Sequence, residues 1–395
     1  MSTVPLAAVS ASADAFRALT ERVRRFVDEE CIPREDLSLA HDVERLDRVA
    51  AELRERAKQS GVYAPQLPRE WGGLGLTWLE RAVVLEELGR SFLGPIAANC
   101  APPDQPNMIN LLQLGTVEQQ RRFLEPLVDG AIRSCFAMTE PAPGAGSDPS
   151  MLLTRAERNA DGWTLNGRKW FISGAVGATF AIVLAQTDDG PTMFIVDTDR
   201  TGYRLVRNIP SMDGFQIGGH GEIEFVDCRI DADATLGLVG RGFEYAQTRL
   251  EPARISHCMR FIGRAVRAME IAQAYVTSRS SFGQRLADLQ QVQALVADAH
   301  IDVHASRLMT RHVAELLDAG ADVKHASAMT KVFVSEALCR VADRAAQMMG
   351  ALGMSEDTPV SMIVRELRPF RIYDGASEVH RATLARRILK SKLRP

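Results

Sequence analysis

The chain predicts an α+β, multi-domain protein: an N-terminal all-α domain, a central β domain of sandwich or barrel-like form, and a C-terminal helical bundle. Three observations carry this. Apolar residues recur at helical spacing before about residue 130 and again after 238. Between them, short β-branched and aromatic runs alternate with turn dipeptides. At 395 residues, the chain also exceeds what one hydrophobic core fills.

The predicted boundaries are 1–130, 131–238 and 239–395. A surface helix is expected from near Ser12, and Leu46, Val49, Leu53 and Ala57 mark one face of another. Thr116 and Gln119 form a capping-box pair, and LPREWGGLGL (67–76) interrupts the helices with proline and glycine. The runs WTLNG, FAIVLAQ, TMFIVDT, YRLVRNI and GEIEFVDCRI predict five or more strands. Asn166–Gly167, Asp189–Gly190 and Thr201–Gly202 are expected to be the turns that separate them. After residue 246, Leu289, Val292, Val296, Ala299 and Val303 line one helical face. Met329, Val332, Ala337, Val341, Ala345 and Met348 line another, which stops at Gly350. Strands and helices do not alternate, and no GxGxxG follows a strand. A dinucleotide-binding α/β fold is therefore not expected.

Composition narrows the function classes. A formal charge of -3 with 25% charged residues leaves no basic footprint for nucleic acid. No apolar run is long enough to span a bilayer. The N-terminus lacks an apolar h-region and carries Asp14 and Glu21, so a cytoplasmic protein is expected. The six cysteines are scattered without a CxxC pair, as for thiols in a reducing compartment. His300 and His304 have metal-ligand spacing on a helix but no accompanying Glu, so no metal site is expected.

Four stretches can carry chemistry. CFAMTEPAPGAGSD (135–148) joins Thr139 and Ser147 to prolines and small residues that let backbone approach a ligand. By itself it is equally an ordinary loop. NGRKWFISGA (166–175) sets Trp170 and Phe171 beside Ser173, and alone it fits a hairpin strand with a core aromatic. YVTSRSSFGQRLADLQQVQ (275–293) offers Arg279, Phe282 and Gln290, suited to a pyrophosphate and an adenine. Finally, IYDGASEVHR (372–381) holds Asp374 in a glycine turn, where it serves as either a turn cap or a base.

In this order and at this spacing, the four stretches resemble the acyl-CoA dehydrogenase family of FAD flavoproteins over nearly the whole chain. The nearest branch is the one that in some organisms is fused to kinase-like domains, a fusion for which 395 residues leave no room. The resemblance implies that the C-terminal domain is a four-helix bundle. It implies that Phe136, Met138 and Thr139 contact the isoalloxazine ring, with Ser147 close to the flavin or the CoA pantetheine. Phe171 stands where the family usually has a Trp, and Ser173 where it has a Thr. Arg279, Phe282, Gln290, Gln347 and Gly350 match residues that reach the FAD of a neighbouring subunit, with Ala376 and Glu378 near its adenosine part. Shared FAD implies a homo-oligomer, by family habit a tetramer.

The resemblance also implies the reaction. A base removes the α proton of an acyl-CoA thioester while hydride leaves the β carbon for flavin N5. Asp374 falls where most members carry a catalytic Glu, with Gly375 beside it at the substrate. Asp is shorter by roughly 1.5 Å of reach. Some members place the base on the helix of LEPARISHCMR instead, but that position is Ala253 here. Arg254 matches an Arg near CoA, or else pairs with Glu251 on its own helix. The expected function is FAD-dependent α,β-dehydrogenation of an acyl-CoA to its trans-2-enoyl-CoA. Electrons would pass to an electron-transferring flavoprotein or a similar acceptor. The alternatives are a flavin oxidase of the nitroalkane-oxidase kind and a non-catalytic FAD-binding relative.

Overall fold

The structure is a computed structural model that describes residues 6–391. Two compact units emerge. One gathers the chain up to Leu37, Val49–Ala98 and Ile255–Arg371; the other gathers Ser38–Arg48, Asn99–Arg254 and the chain from Ile372 onward.

The first unit is helical. The N-terminal helix runs Leu6–Phe26, six residues earlier than the Ser12 start, and buries Leu19, Val23 and Phe26. The part of Val43–Gln59 from Val49 onward and Trp78–Gly89 follow, then the later part of Gly242–Ser278, Gln290–Asp318, Lys324–Met349 and Val360–Leu367. Two helices here approach almost backbone to backbone. A Cβ on Gly263 would lie 1.8 Å from the Glu86 carbonyl oxygen, and one on Gly89 would lie 2.0 Å from that of Arg260. Only glycine on both sides allows that crossing. Ala337, Val341, Ala345 and Met348 are buried as their spacing predicts, but Val332 is half-buried and Met329 is exposed; the helix stops at Gly350 with φ 60°.

The second unit is built on a seven-stranded mixed sheet: β1 (Ser134–Ala137), β2 (Arg155–Arg158), β3 (Gly162–Ser173), β4 (Phe180–Thr187), β5 (Gly190–Asp197), β6 (Tyr203–Asn208) and β7 (His220–Asp231). The order β1-β4-β2-β3-β7-β6, with β5 also on β4, places β1 parallel to β4 and β3 antiparallel to β7. Trp163 and Phe194 meet edge to face at 5.2 Å in the sheet's core, joined by Phe225, Ile223 and Val183. The Thr116 capping box forms as expected, closing the first turn of Val117–Gln119.

One expected turn is absent. Asn166–Gly167 does not separate two strands; β3 runs straight through it for 12 residues. Gly167 takes φ 152° at a register shift between Leu165 and Gly167, so the dipeptide bends the strand rather than ending it. The reason is tertiary: β7 pairs with β3 on both sides of the bulge.

Candidate active site

The IYDG stretch turns through two positive-φ residues in succession, Asp374 at 53° and Gly375 at 96°. Asp tolerates the left-handed region better than a branched residue would. At Gly375 the choice is forced twice, because a Cβ there would stand 2.6 Å from His380 Nε2. Two side chains hold the turn through its main chain. Arg254 donates its Nε–H to the Asp374 carbonyl at 2.8 Å, and His380 Nε2 lies 3.1 Å from the same oxygen. A carbonyl only accepts, so that Nε2 carries the imidazole proton.

Two guanidiniums share the electrostatic neighbourhood of Asp374. Burial lowers the Arg254 pKa, while the charge of Asp374 and then that of Glu251 oppose the fall. The Glu251 pairing considered from the sequence is thus present as a field, but Arg254's hydrogen bond goes to Asp374. Arg249, one turn earlier on the same helix, is pushed down to about 10 by burial, against the pull of Asp374. Its guanidinium stands 4.0 Å from the centre of the Phe136 ring, and its Nε–H donates to Asn107 Oδ1 at 3.1 Å. The candidate base and the first of the expected flavin residues therefore converge on one buried cation.

The segment after β1 is tied down from beneath. Lys169 on β3 spends all three ammonium protons, on the carbonyls of Met138 (3.0 Å) and Leu184 (2.7 Å) and on Glu140 Oε1 (2.9 Å). Burial pushes Lys169 down to about 8, against the attraction of Glu140. Burial pushes Glu140 up, but the Lys169 charge and the hydrogen bonds from Thr154, Lys169 and Leu153 outweigh it and hold the carboxyl at about 2. Trp170 N–H donates to the Thr139 carbonyl at 3.0 Å. Met138 and Thr139 thus have their carbonyls turned toward β3. The Thr139 N–H and hydroxyl engage no other described residue, so they are available to a ligand.

Phe171 bulges from β3 at φ 50°, at the register shift between Lys169 and Ile172, and is 47% exposed. The core aromatic expected at this strand is therefore not Phe171, because the bulge turns its ring outward. Trp170 meets it edge-on at 5.0 Å. Ser173 ends β3 with its Oγ 3.0 Å from His220 Nδ1, and His220 Nε2 in turn reaches Asp213. Ser147 lies exposed in the loop ahead of β2, and Ala376 and exposed Glu378 stand where Ser377–Ser391 begins.

The remaining expected residues belong to the helical unit. Arg279 leads into a two-stranded hairpin, Ser280–Ser281 with Gln284–Arg285, whose tip is Phe282 at φ 52° and 92% exposed. Gln290 opens its helix, and Gln347 and Gly350 close theirs; all three are exposed. His300 is engaged by Gln273 at 2.6 Å.

Sequence reasoning missed Arg249, Asn107, Lys169, Glu140, His220 and His380 as parts of the site. Lys169 and His380 lay inside stretches already singled out. Glu140 likewise lay inside 135–148, while Arg249, Asn107 and His220 carried no local signal, because their partners are distant in sequence. The FAD that the resemblance implies fits these residues. An outward aromatic (Phe171) and a hydroxyl-bearing strand end (Ser173) lie on β3, the unengaged Thr139 donors lie on the segment that β3 holds after β1, and Phe136 leads into them from β1.

Comparison with known proteins identifies the family by sequence and by fold. Models of the acyl-CoA dehydrogenase N-terminal, middle and C-terminal domains match residues 13–131, 135–228 and 240–389. The probable acyl-CoA dehydrogenase FadE2 of Mycobacterium tuberculosis is 38% identical over 349 residues, covering 86% of this chain and 85% of that protein. Acyl-CoA dehydrogenase family member 10 of Mus musculus is 35% identical over 402 residues, covering 96% of this chain. The chain spans only 37% of that longer protein's length. A putative acyl-CoA dehydrogenase structure from Mycobacterium abscessus superposes with a TM-score of 0.89 at 33% identity, covering 96% of this chain and 99% of the other. Three domain models in series, this fold and a turn built around Asp374 lead to one conclusion: the chain belongs to the acyl-CoA dehydrogenase family.

Proposed function

We propose that this protein catalyses FAD-dependent α,β-dehydrogenation of an acyl-CoA thioester, with Asp374 as the base. The observation that carries the reading is the Asp374 turn, held by Arg254 and His380 and lying in the field of two buried guanidiniums. FAD, when bound, supplies the acceptor for the hydride that leaves the β carbon. The protein's own residues do the rest. Asp374 takes the α proton, and the main chain of the Asp374 turn supplies a donor to the thioester oxygen as negative charge develops. Met138 and Thr139 present backbone and hydroxyl groups to the ring, with Phe171 and Ser173 beside it. Arg254 and Gly375 border the thioester.

Exposed Phe282, Gln290 and Gln347 support a homo-oligomer, dimer or tetramer, in which each copy completes its neighbour's FAD site. Electrons then leave to an electron-transferring flavoprotein or a similar acceptor. Among the described residues no helix is long and apolar enough to cross a membrane, and a cytoplasmic, fatty-acid-metabolising enzyme is the reading we adopt.

Anaerobic mixing of the purified yellow protein with a panel of acyl-CoAs tests the proposal. Flavin bleaching by at least one thioester is the expected result. Bleaching only by nitroalkanes, with peroxide formed in air, assigns an oxidase instead; bleaching by neither assigns a binding relative.

A further inference from the structure

Behind Ser173 lies a hydrogen-bonded acid–base chain that proton removal by Asp374 does not use. Ser173 Oγ is 3.0 Å from His220 Nδ1, and His220 Nε2 is 3.2 and 3.1 Å from the two Asp213 oxygens. The Ser211 hydroxyl donates to the same carboxylate. The His220 and Asp213 side chains are 13% and 17% exposed. Burial raises the Asp213 pKa, but the His220 hydrogen bond, the His220 charge and the Ser211 hydroxyl outweigh it and hold the carboxyl below its usual range.

An ionised carboxylate can only accept, so His220 Nε2 carries a proton. In a neutral imidazole Nδ1 is then a bare acceptor, and the Ser173 O–H points at it. The Ser173 oxygen turns its lone pairs, not its proton, toward whatever lies on its far side. A protonated imidazole reverses this: Nδ1–H donates to Ser173 Oγ, and the hydroxyl proton faces outward. Of the charged groups near this corner of the sheet, Arg133 packs against Gly218 and is ion-paired with Asp47. From β6, Asn208 is neutral and accepts the His220 main-chain N–H at 2.9 Å. On β7, Glu222 is ion-paired with Arg168 and Arg207. Among the described residues Asp213 is the only charged side chain within hydrogen-bonding distance of the imidazole.

We infer that Asp213 and His220 are positioning residues that set the hydrogen-bond polarity Ser173 presents to the flavin, and through it bias the flavin's redox equilibrium. The inference rests on the proposed function, in which Ser173 faces the isoalloxazine. Flavin ring nitrogens that gain a proton on two-electron reduction are acceptors when oxidised and N–H donors when reduced. A neutral His220 makes Ser173 an acceptor, which favours the reduced ring; a charged His220 makes it a donor, which favours the oxidised ring. No bond to the flavin forms or breaks in the relay. The one change is a proton exchanged between solvent and His220 Nδ1.

Two measurements test this. Nitrogen-15 NMR of histidine-labelled protein before FAD is added reads the tautomer, and the Nε2–H form is expected for neutral His220; the Nδ1–H form overturns the inference. In FAD-loaded protein, His220→Phe leaves the Ser173 hydroxyl free to donate outward. The milder Asp213→Asn moves the imidazole proton to Nδ1, with the same result. Both variants are expected to lower the flavin midpoint potential, by about 30 mV for a tenfold shift of this two-electron equilibrium. In a Ser173→Ala background neither change moves it further. Unchanged potentials in both variants, with flavin bound and reducible by an acyl-CoA, overturn the inference and leave the proposed function standing. Protein that no acyl-CoA bleaches fails the proposed function instead and takes the flavin part of the inference with it.

Discussion

Arg254 donates its Nε–H to the main-chain oxygen of Asp374 at 2.8 Å, across 120 residues of sequence. The turn that carries the candidate base is thus held from the long helix Gly242–Ser278, not by its own residues alone. His380 grips the same oxygen from the helix that follows. Asp lacks one methylene of reach relative to Glu, and the turn that carries it is held at one main-chain oxygen from two helices.

Arg254→Lys keeps the charge but loses the planar fork that reaches the carbonyl. A hydrogen bond involving a charged group contributes roughly 1.5–3 kcal/mol, so flavin reduction by the best acyl-CoA should slow by about 10- to 100-fold. Stopped-flow absorbance checks this, with the FAD content of the variant unchanged.

Asp374→Asn removes the base and keeps the shape. Reduction by acyl-CoA should fall by about a hundredfold or more, the usual size of a general-base contribution, with the protein still yellow. Asp374→Glu lengthens the side chain by roughly 1.5 Å and should reduce more slowly than wild type but faster than Asn. Single-turnover rates order the three, and an Asn variant as fast as wild type removes Asp374 from the mechanism.

Lys169→Met leaves Glu140 charged and buried without its partner, where side-chain exposure is only 2%. Breaking such a pair typically costs about 3–5 kcal/mol, which urea unfolding should register. Adding Glu140→Leu should recover part of that loss, because the two together remove the stranded charge. FAD affinity should fall in the single variant as the Met138 carbonyl loses its donor.

Glu140 gives the pair an acid limit. Its folded pKa of about 2 lies below the ordinary 4.5, so its contribution is complete above pH 4.5 and is lost as pH falls through about 2. Thermal melts should show wild type more stable than Glu140→Gln by on the order of 2 kcal/mol near neutrality. The gap should narrow steadily between pH 4.5 and 2. A gap that stays constant over that range assigns Glu140 a packing role only.

Much of the fold was legible because its signals are local. The Thr116 capping box needs four residues, the Asp189–Gly190 turn needs two, and the face ending at Gly350 needs one helix. Asn166–Gly167 misled for the complementary reason. The dipeptide permits a turn, but pairing with β7 on both flanks makes it a bulge. The core-aromatic alternative for this strand fails at Phe171 for the same reason, because the bulge at φ 50° turns its ring out.

By itself the sequence determined the order helices, sheet, helices, the family, and the position of the acidic residue we propose as the base, since each rests on spacing along the chain. Only the tertiary structure decided what surrounds that residue. Arg249 and Asn107 are 142 positions apart, Lys169 and Met138 are 31, and His220 and Ser173 are 47. No local pattern marks such pairs. They exist because burying apolar surface brings their elements together, and each polar group left inside must then find a partner.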